Sequence, residues 1–526
     1  METKAAENAT PARHIRDELT AEGALAASAR MQVTRIGVDT YQESVVYLHR
    51  DSIACKSIGF DALARVVVRH GTRSIVATLN VISGDWLGTG AAGLSEAAWH
   101  RLGAHQGDHV TLAHSSPAES ASDLRGKVYG HRLVRAQCQG LLQDAIDGRL
   151  SDIEIAAFVT ACTSAEFDLA ESVALTEAMV AVGEQLHWPS KIVLDKHSVG
   201  GLPGNRTTPI IVAIVAAAGG LIPKTSSRAI TSPAGTADTM ATMTKVDLDL
   251  RAMRRVVERE GGCIVWGGAV SLSPADDVLI RVERSLDFDS DVQLIASVLS
   301  KKKAAGATHV VLDVPVGPTA KVRTPEAAAA LGKRLLDVAA AIDLSVVVQI
   351  SDGRQPVGRG IGPALEAWEV LRVLRNTEDA AVNLRNHALD LAGRVLEFDP
   401  SVLAGTGRSK AEGLLQSGAA WRKFQSICEA QGAFHEPPVA AQRFTIVSGT
   451  SGVVTDIDNR KLAKVAKLAG APRDASAGLV LHAPLEKHIV AGEPLLTLHA
   501  ESEGELRYAR DYFESHPQII RMDNDS

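Results

Sequence analysis

The sequence predicts a multi-domain α/β protein. The expected parts are a small N-terminal β domain, an α-helical domain, a large α/β domain with a mixed or parallel sheet, and a C-terminal α+β domain of barrel-sandwich-like character. Three observations carry this prediction. At 526 residues the chain is too long for a single core. Residues 31–117 break into short β-branched runs separated by Gly, Asp and Asn, the pattern of a β domain. Residues 190–435 alternate short apolar runs with amphipathic helical stretches, which is how a parallel sheet covered by crossover helices is written.

In chain order, residues 1–30 are polar and Ala-rich and read as a tail, with charges throughout and no apolar segment of the secretory kind. Strands are expected at 44–48, 64–68, 74–79 and 107–112. Residues 122–188 turn helical, with a capping-box start at Ser151 and Glu154, and a helix within 275–305 is expected to join this bundle. In the α/β part, strands are expected at 262–265, 310–314 and 345–350, and helices at 208–218, 248–260, 325–341 and 363–375. Residues 436–526 carry short strands at 445–447, 452–454, 478–481 and 493–498 around a helix at 460–468. The turn at 490–495 resembles that of a biotinyl or lipoyl carrier barrel, but no lysine stands in the carrier setting, so a structural role is expected.

Net charge is −7 and no long basic run occurs, which argues against nucleic-acid binding. The longest apolar stretch, 210–221, is shorter than the ~18–20 residues a membrane span needs. A cytoplasmic protein with no membrane partner is therefore expected. Five scattered cysteines, without CxxC, HxH or HExxH, signal neither a disulfide framework nor a zinc site, and no metal or organic cofactor is expected.

Four clusters carry chemistry. In the first, the apolar run 192–194 leads into Asp195-Lys196-His197-Ser198, then Gly200, Gly201, Thr207, Thr208 and an apolar helix. Strand, glycine-rich loop and helix start bring backbone N–H groups, a lysine and hydroxyls around one point, which is an anion site best suited to phosphate. It is neither a Walker loop nor a dinucleotide fingerprint. His197 adds a group that titrates near neutrality. The second cluster is TSSRAITSPAGTAD, 225–238, read as a loop after an apolar strand at 220–223, with hydroxyls and one guanidinium suited to phosphate and sugar. The third is Asp289 with Ser297 and Lys301, the last two on one helix face. Lys302 and Lys303 read as the solvated basic end of that helix. The fourth is the turn Gly317-Pro318-Thr319-Ala320-Lys321 after a buried strand, where ligand sites of α/β sheets lie.

Together these clusters resemble the pyrimidine-nucleoside phosphorylase family, which includes thymidine phosphorylase. The resemblance runs from about Gly126 to about Pro517 and is densest at 195–238. The extra N-terminal β domain, the Pro203-Gly204-Asn205 insertion and the TSSRAITS wording are similar to the long branch (type 2), which contains archaeal AMP phosphorylases. The resemblance implies phosphate contacts at Lys196, Ser198, Gly200, Gly201, Thr207, Thr208, Ser226 and Thr236. It implies nucleoside or nucleotide contacts at Gly201, Ser227, Arg228, Ala229, Ile230, Thr231, Ser232, Thr236, Ser297, Lys301 and Lys321. His197 matches the histidine beside the nucleoside, and Asp289 the proton donor of the long branch. The short branch places an arginine on the base; Arg281 and Arg284 lie near that position, but neither aligns without a shift, which leaves base identity open.

The reaction so implied is phosphorolysis: thymidine plus phosphate gives 2-deoxyribose 1-phosphate plus thymine, with inorganic phosphate as co-substrate and His197 or Asp289 as general acid. A nucleoside 5′-monophosphate phosphorylase of the AMP type, yielding ribose 1,5-bisphosphate, would use the same site with a second phosphate pocket, for which Arg228 and Lys321 are candidates. A phosphoribosyltransferase would need Mg²⁺ and an acidic pair, which the loops fit less well. A non-catalytic nucleotide sensor is the reading from outside enzymology. The resemblance further implies a homodimer formed through the helical domain, or a higher homo-oligomer.

Overall fold

The computed structural model describes residues 30–58, 60–163, 167–229, 232–286 and 290–524. The expected tail therefore lies outside the described residues except for Arg30, as do Ile230, Thr231 and Asp289. The chain forms two compact units: residues through Leu124 with Gln143–Ile155, and Arg125–Leu142 with Ala156–Ser526.

The first unit contains a closed six-stranded barrel. Its strands are Arg30–Arg35, Val45–His49, Arg65–His70, Arg73–Ile82, Ala91–Leu94 and His109–His114. Alternate residues such as Val46 and Leu48, Val66 and Val68, and Val110 and Leu112 point into a common core, as the two-residue period of a strand requires. Closure leaves the sheet no free edge. The expected capping box forms: Ser151 N–H donates to the Glu154 carboxylate (2.7 Å) and Glu154 N–H to Ser151 Oγ (3.3 Å).

In the second unit, helix Asp291–Ala304 packs against helices Leu169–Ala181 and Pro325–Ala341. The α/β part is built on parallel strands. His309–Val316 lies between Ser345–Asp352 and Leu194–Ser198, and Ile222–Ser226 pairs with Gly262–Trp266. Leu194 N–H donates to the Leu221 carbonyl (2.8 Å) between the two groups. Helix Thr207–Ala217 is buried on every side from Thr207 to Ala216, which explains its run of Ile, Val and Ala without a polar stripe. It is the centre of a large apolar cluster, with Val370, Leu374, Leu389 and Phe424 around it.

Two strand boundaries differ from expectation. Asp195–Ser198 is extended sheet, not loop, paired from Asp195 with Val310 to Ser198 with Asp313. Lys224, Thr225 and Ser226 likewise belong to a strand. Polar residues close these strands because buried ionic and hydrogen-bonding partners await them, information that an apolar-run criterion does not contain.

The C-terminal region carries two small sheets, one of four strands and one of three, with helices Asn459–Leu468 and Glu503–Glu514. Strand Gly360–Ile361 of the α/β part pairs with Gly478–Leu481 there. Asn459 reaches the ends of the central strands. Its backbone N–H and Nδ2 donate to Thr319 Oγ1 (3.2 and 3.1 Å), and Nδ2 also donates to the Gly353 carbonyl (3.2 Å). No helix among the described residues is long and apolar enough to cross a membrane.

Candidate active site

The loops after Leu194–Ser198, Ile222–Ser226 and His309–Val316 gather at the carboxyl ends of parallel strands, the place where α/β sheets hold ligands. Strand alternation sends Lys196 and Ser198 to one face of the first strand and Asp195 and His197 to the other.

On the first face, Lys196 is buried and its Nζ donates to Thr207 Oγ1 (2.8 Å), at the start of the buried helix. Burial pushes the Lys196 ammonium down to about 8, against the attraction of Asp313. Asn205 Nδ2 contacts Ser198 Oγ (3.4 Å) and Asp313 Oδ2 (3.3 Å). Ser351 donates to Asp313 Oδ1 (2.6 Å), and His387 Nε2 lies 3.3 Å from Oδ2. Burial would raise Asp313, but the His387 hydrogen bond and the Lys196 charge outweigh it and hold the carboxyl well below the usual range. Gly200 has φ +87° with open space where a Cβ would stand. At Gly201 (φ +92°) a Cβ would come within 2.3 Å of the Lys321 backbone nitrogen, so glycine here lets the first and fourth clusters touch.

The second cluster is internally braced. Asp238 Oδ2 accepts from the N–H groups of Ala229 (2.6 Å) and Gly235 (2.9 Å), and Ser232 Oγ donates to the Ala234 carbonyl (3.0 Å). Arg206 Nη1 donates to Thr236 Oγ1 (2.8 Å) while the same guanidinium pairs with buried Glu366. This ties Thr236 to the first loop. Ser226 Oγ is buried and has no hydrogen-bond partner among the described residues. Arg228 spans Asp238 (3.3 Å) and Asp247 (3.2 Å) and lies over the Trp266 ring (5.0 Å to the centroid). Ser227, next to it, is exposed, and Thr208 is buried in the first turn of its helix.

On the opposite strand face, Asp195 is fully buried between two lysines. Lys224 Nζ lies 3.1 Å from Oδ1 and Lys302 Nζ 2.8 Å from Oδ2. This corrects the expectation for Lys302. It is 2% exposed and ion-paired, not part of a solvated helix end, whereas Lys303 reaches only the Asp343 carbonyl (3.3 Å). A run of three lysines does not reveal which one the helical period turns inward. The Lys302–Asp195 pair pins helix Asp291–Ala304 to the strand. Lys301, partly exposed, is paired with Asp276 (2.8 Å), and Ser297 stands one turn earlier on the same helix. His197 is held well below the ordinary histidine value, first by burial and then by the charges of Lys302, Lys224, Lys301 and Lys196. These causes favour the neutral imidazole over the imidazolium.

The structure thus brings Lys196, Ser198, Gly201, Thr207, Thr236 and Lys321 together where strand ends, turns and helix starts meet. Helix-borne Ser297 and Lys301 are anchored to the same strand through Lys302. Sequence reasoning missed Asn205, Arg206, Lys224, Asp276, Asp313 and His387. Only Arg206, standing directly before the helix, carried a local signal.

Three family models match the chain. They are the glycosyl transferase family helical bundle domain at residues 124–183, the glycosyl transferase family a/b domain at 190–421, and the pyrimidine nucleoside phosphorylase C-terminal domain at 453–519. The chain is 55% identical over 497 residues to "Putative thymidine phosphorylase 1" of Acidovorax sp. (strain JS42), covering 94% of this chain and 97% of that one. It is 56% identical over 497 residues to "Putative thymidine phosphorylase" of Polaromonas sp. (strain JS666 / ATCC BAA-500), with the same coverage. It is 51% identical over 506 residues to the Legionella pneumophila protein of that name, covering 95% and 98%. Anthranilate phosphoribosyltransferase from Thermus thermophilus gives a TM-score of 0.49 at 18% identity, over 59% of this chain and 99% of its own. With near-complete coverage at more than half identity and all three family domains in order, the chain belongs to the thymidine phosphorylase family of pentosyltransferases.

Proposed function

We propose that the protein catalyses phosphorolysis of a pyrimidine nucleoside, with thymidine as substrate and 2-deoxyribose 1-phosphate and thymine as products. The observation that carries this reading is the buried Lys196–Thr207 pair at the end of a parallel strand, beside open Gly200 and an N-terminal helix turn. A phosphate there is met by Lys196, by the hydroxyls of Ser198, Thr207, Thr208, Ser226 and Thr236, and by backbone N–H groups. A phosphate oxygen attacks C1′ while the C1′–N bond breaks. Lys196 and the hydroxyls hold the nucleophile in line, and the dianion stabilises the oxocarbenium character of the pentose. The base departs with the bonding electron pair. Lys301 and Ser297 receive it, Lys301 offsetting its negative charge. A proton comes from Asp289 in this proposal, the residue that matches the proton donor of the long branch, with His197, whose surroundings favour the neutral imidazole, beside the nucleoside.

The nucleoside reading is favoured over the monophosphate reading by Arg228. The guanidinium that a 5′-phosphate would need is already engaged by Asp238 and Asp247. The test is a panel of nucleosides against their 5′-monophosphates, scored for phosphate-dependent base release. Thymidine is expected to be cleaved, with inorganic phosphate or arsenate required and activity surviving EDTA. Release from monophosphates alone would replace this function with the AMP type. Loss on chelation with recovery on Mg²⁺ would move the protein to the transferase chemistry.

A further inference from the structure

Helix Thr207–Ala217 begins against the usual rule for helix starts. Its N-cap is Arg206, which makes no side-chain cap bond, and a cation at this end opposes the helix dipole. Other partners hold the guanidinium there. Nε donates to Glu366 Oε2, Nη2 to the carbonyls of Ala234 (3.1 Å) and Gly204 (3.3 Å), and Nη1 to Thr236 Oγ1 (2.8 Å). Glu366 is 1% exposed, and its Oε1 accepts from Gly362 N–H (3.2 Å), which fixes the carboxylate at the start of helix Pro363–Leu374. That helix packs against helix Thr236–Ala241. Arg206 thus joins three segments: the first loop, the second loop and helix Pro363–Leu374.

We propose that Arg206 is a positioning residue for phosphate that acts through Thr236: seated on Glu366, its guanidinium donates to Thr236 Oγ1 and leaves that hydroxyl's proton to be given to a phosphate oxygen. A guanidinium has donors and no acceptor, and a threonine hydroxyl has one proton. With Nη1 donating to it, Thr236 cannot spend that proton on Arg206 and serves as a donor toward the cradle. The unprotonated oxygens of a phosphate dianion are its complement, and their charge strengthens the bond. Glu366 answers the charge of Arg206, so Lys196 supplies the charge of the cradle and Arg206 its orientation. An ammonium at position 206 would keep the charge but lose the planar fork that meets Glu366, Thr236 and Ala234 at once.

This role rests on the phosphate reading of the cradle, and the experiment keeps the two apart. Inorganic phosphate is titrated calorimetrically into the full-length protein, Arg206→Lys, Thr236→Val and the double variant, and Tm is measured for each. Each single variant is expected to bind phosphate roughly tenfold more weakly. The double variant is expected to bind no more weakly than Thr236→Val alone, since Arg206 then has no hydroxyl to orient. In a Thr236→Ser background, which keeps the hydroxyl, the loss on adding Arg206→Lys is expected to return. In phosphorolysis the single variants are expected to raise KM for phosphate and to change KM for the nucleoside by less than about twofold. Additive losses in the double variant overturn the inference alone. So does a lowered Tm with phosphate binding undiminished, the mark of a purely structural clamp. If Arg206→Lys fails to fold, Glu366→Gln carries the test: it keeps the shape but loosens the guanidinium, and its loss of phosphate binding is expected to vanish in the Thr236→Val background. Absence of phosphate binding in the unmodified protein overturns the phosphate reading and the inference with it. Coupling of Arg206 to Thr236 without base release from any nucleoside keeps the inference and overturns the proposed substrate.

Discussion

The two faces of strand Leu194–Ser198 meet different kinds of neighbour. Lys196 and Ser198 lean on a loop and a helix start from the same stretch of chain, through Thr207 and Asn205. Asp195 and His197 meet a helix that begins almost a hundred residues later, held by a buried ion pair. The side proposed for phosphate takes its nearest partners from the next dozen residues of the chain, with Asp313 braced behind them. The side proposed for the base is delivered by a distant helix, and its pairing partner Asp276 comes from yet another one. The helix is tied to the strand by the Lys302–Asp195 pair and is otherwise seated on helices Leu169–Ala181 and Pro325–Ala341. Binding of phosphate and recognition of the base should therefore be separable by mutation.

The largest effect is expected at Lys196. Lys196→Ala removes the cradle's charge, and a charge-assisted contact of ~1.5–3 kcal/mol corresponds to a fall in kcat/KM of roughly tenfold to more than a hundredfold, measured with phosphate as varied substrate. Lys303→Ala is the control on the outward face; equal losses in the two would erase the distinction between cradle and helix end. Next in size is Lys301→Ala, expected to lower kcat by roughly tenfold for nucleosides with poor leaving groups and by less for bases that leave readily as anions. Asp289→Asn should show the same leaving-group dependence if it supplies the proton. A uniform loss from both would join the two halves that the comparison separates.

The comparison also has a pH signature. Phosphate binding needs Lys196 charged, so kcat/KM for phosphate should fall as pH rises above about 8. Stability should run the other way. The folded value lies below the ordinary lysine value, so folding disfavours the charged form; the cost is present below about 8 and fades as pH rises toward the unfolded value. Parallel profiles of Tm and kcat/KM from pH 6.5 to 10 check this, and parallel decline of both would refute the assignment to Lys196. The smallest effect is expected for His197→Gln: a change of a few-fold, with no loss of an acidic group from the kcat profile. Disappearance of such a limb would restore His197 as the acid.

The regular core was legible because its strands and helices obey simple periods. Val310, Val311, Leu312 and Val314 form an apolar, mostly β-branched run, and helix Pro325–Ala341 starts at its proline, after the Thr324 cap. The strand, glycine-rich turn and helix start at 194–217 were legible because an apolar run, glycines and an apolar helical stretch stand side by side in sequence. What could not be read is what folding brings from afar. Asp195 and Ser198 look like loop residues until Lys302 and Asp313 are placed beside them, and Lys224 looks like part of a polar connection until its strand is buried. The side chains that set the charge state of His197 are up to about a hundred residues away in the chain, and no local pattern records them.

Asn459 bears on how such proteins can be recombined. Its contacts to Thr319 and Gly353 cross from the C-terminal region to the turns that end two central strands, and the Gly360–Ile361 strand is stitched into the C-terminal sheet. A chimera joined near residue 436 therefore inherits half of a shared seam from each parent. The piece that can be exchanged between relatives without loss is not the C-terminal domain as a segment, but that segment together with residues 317–321 and 353–361.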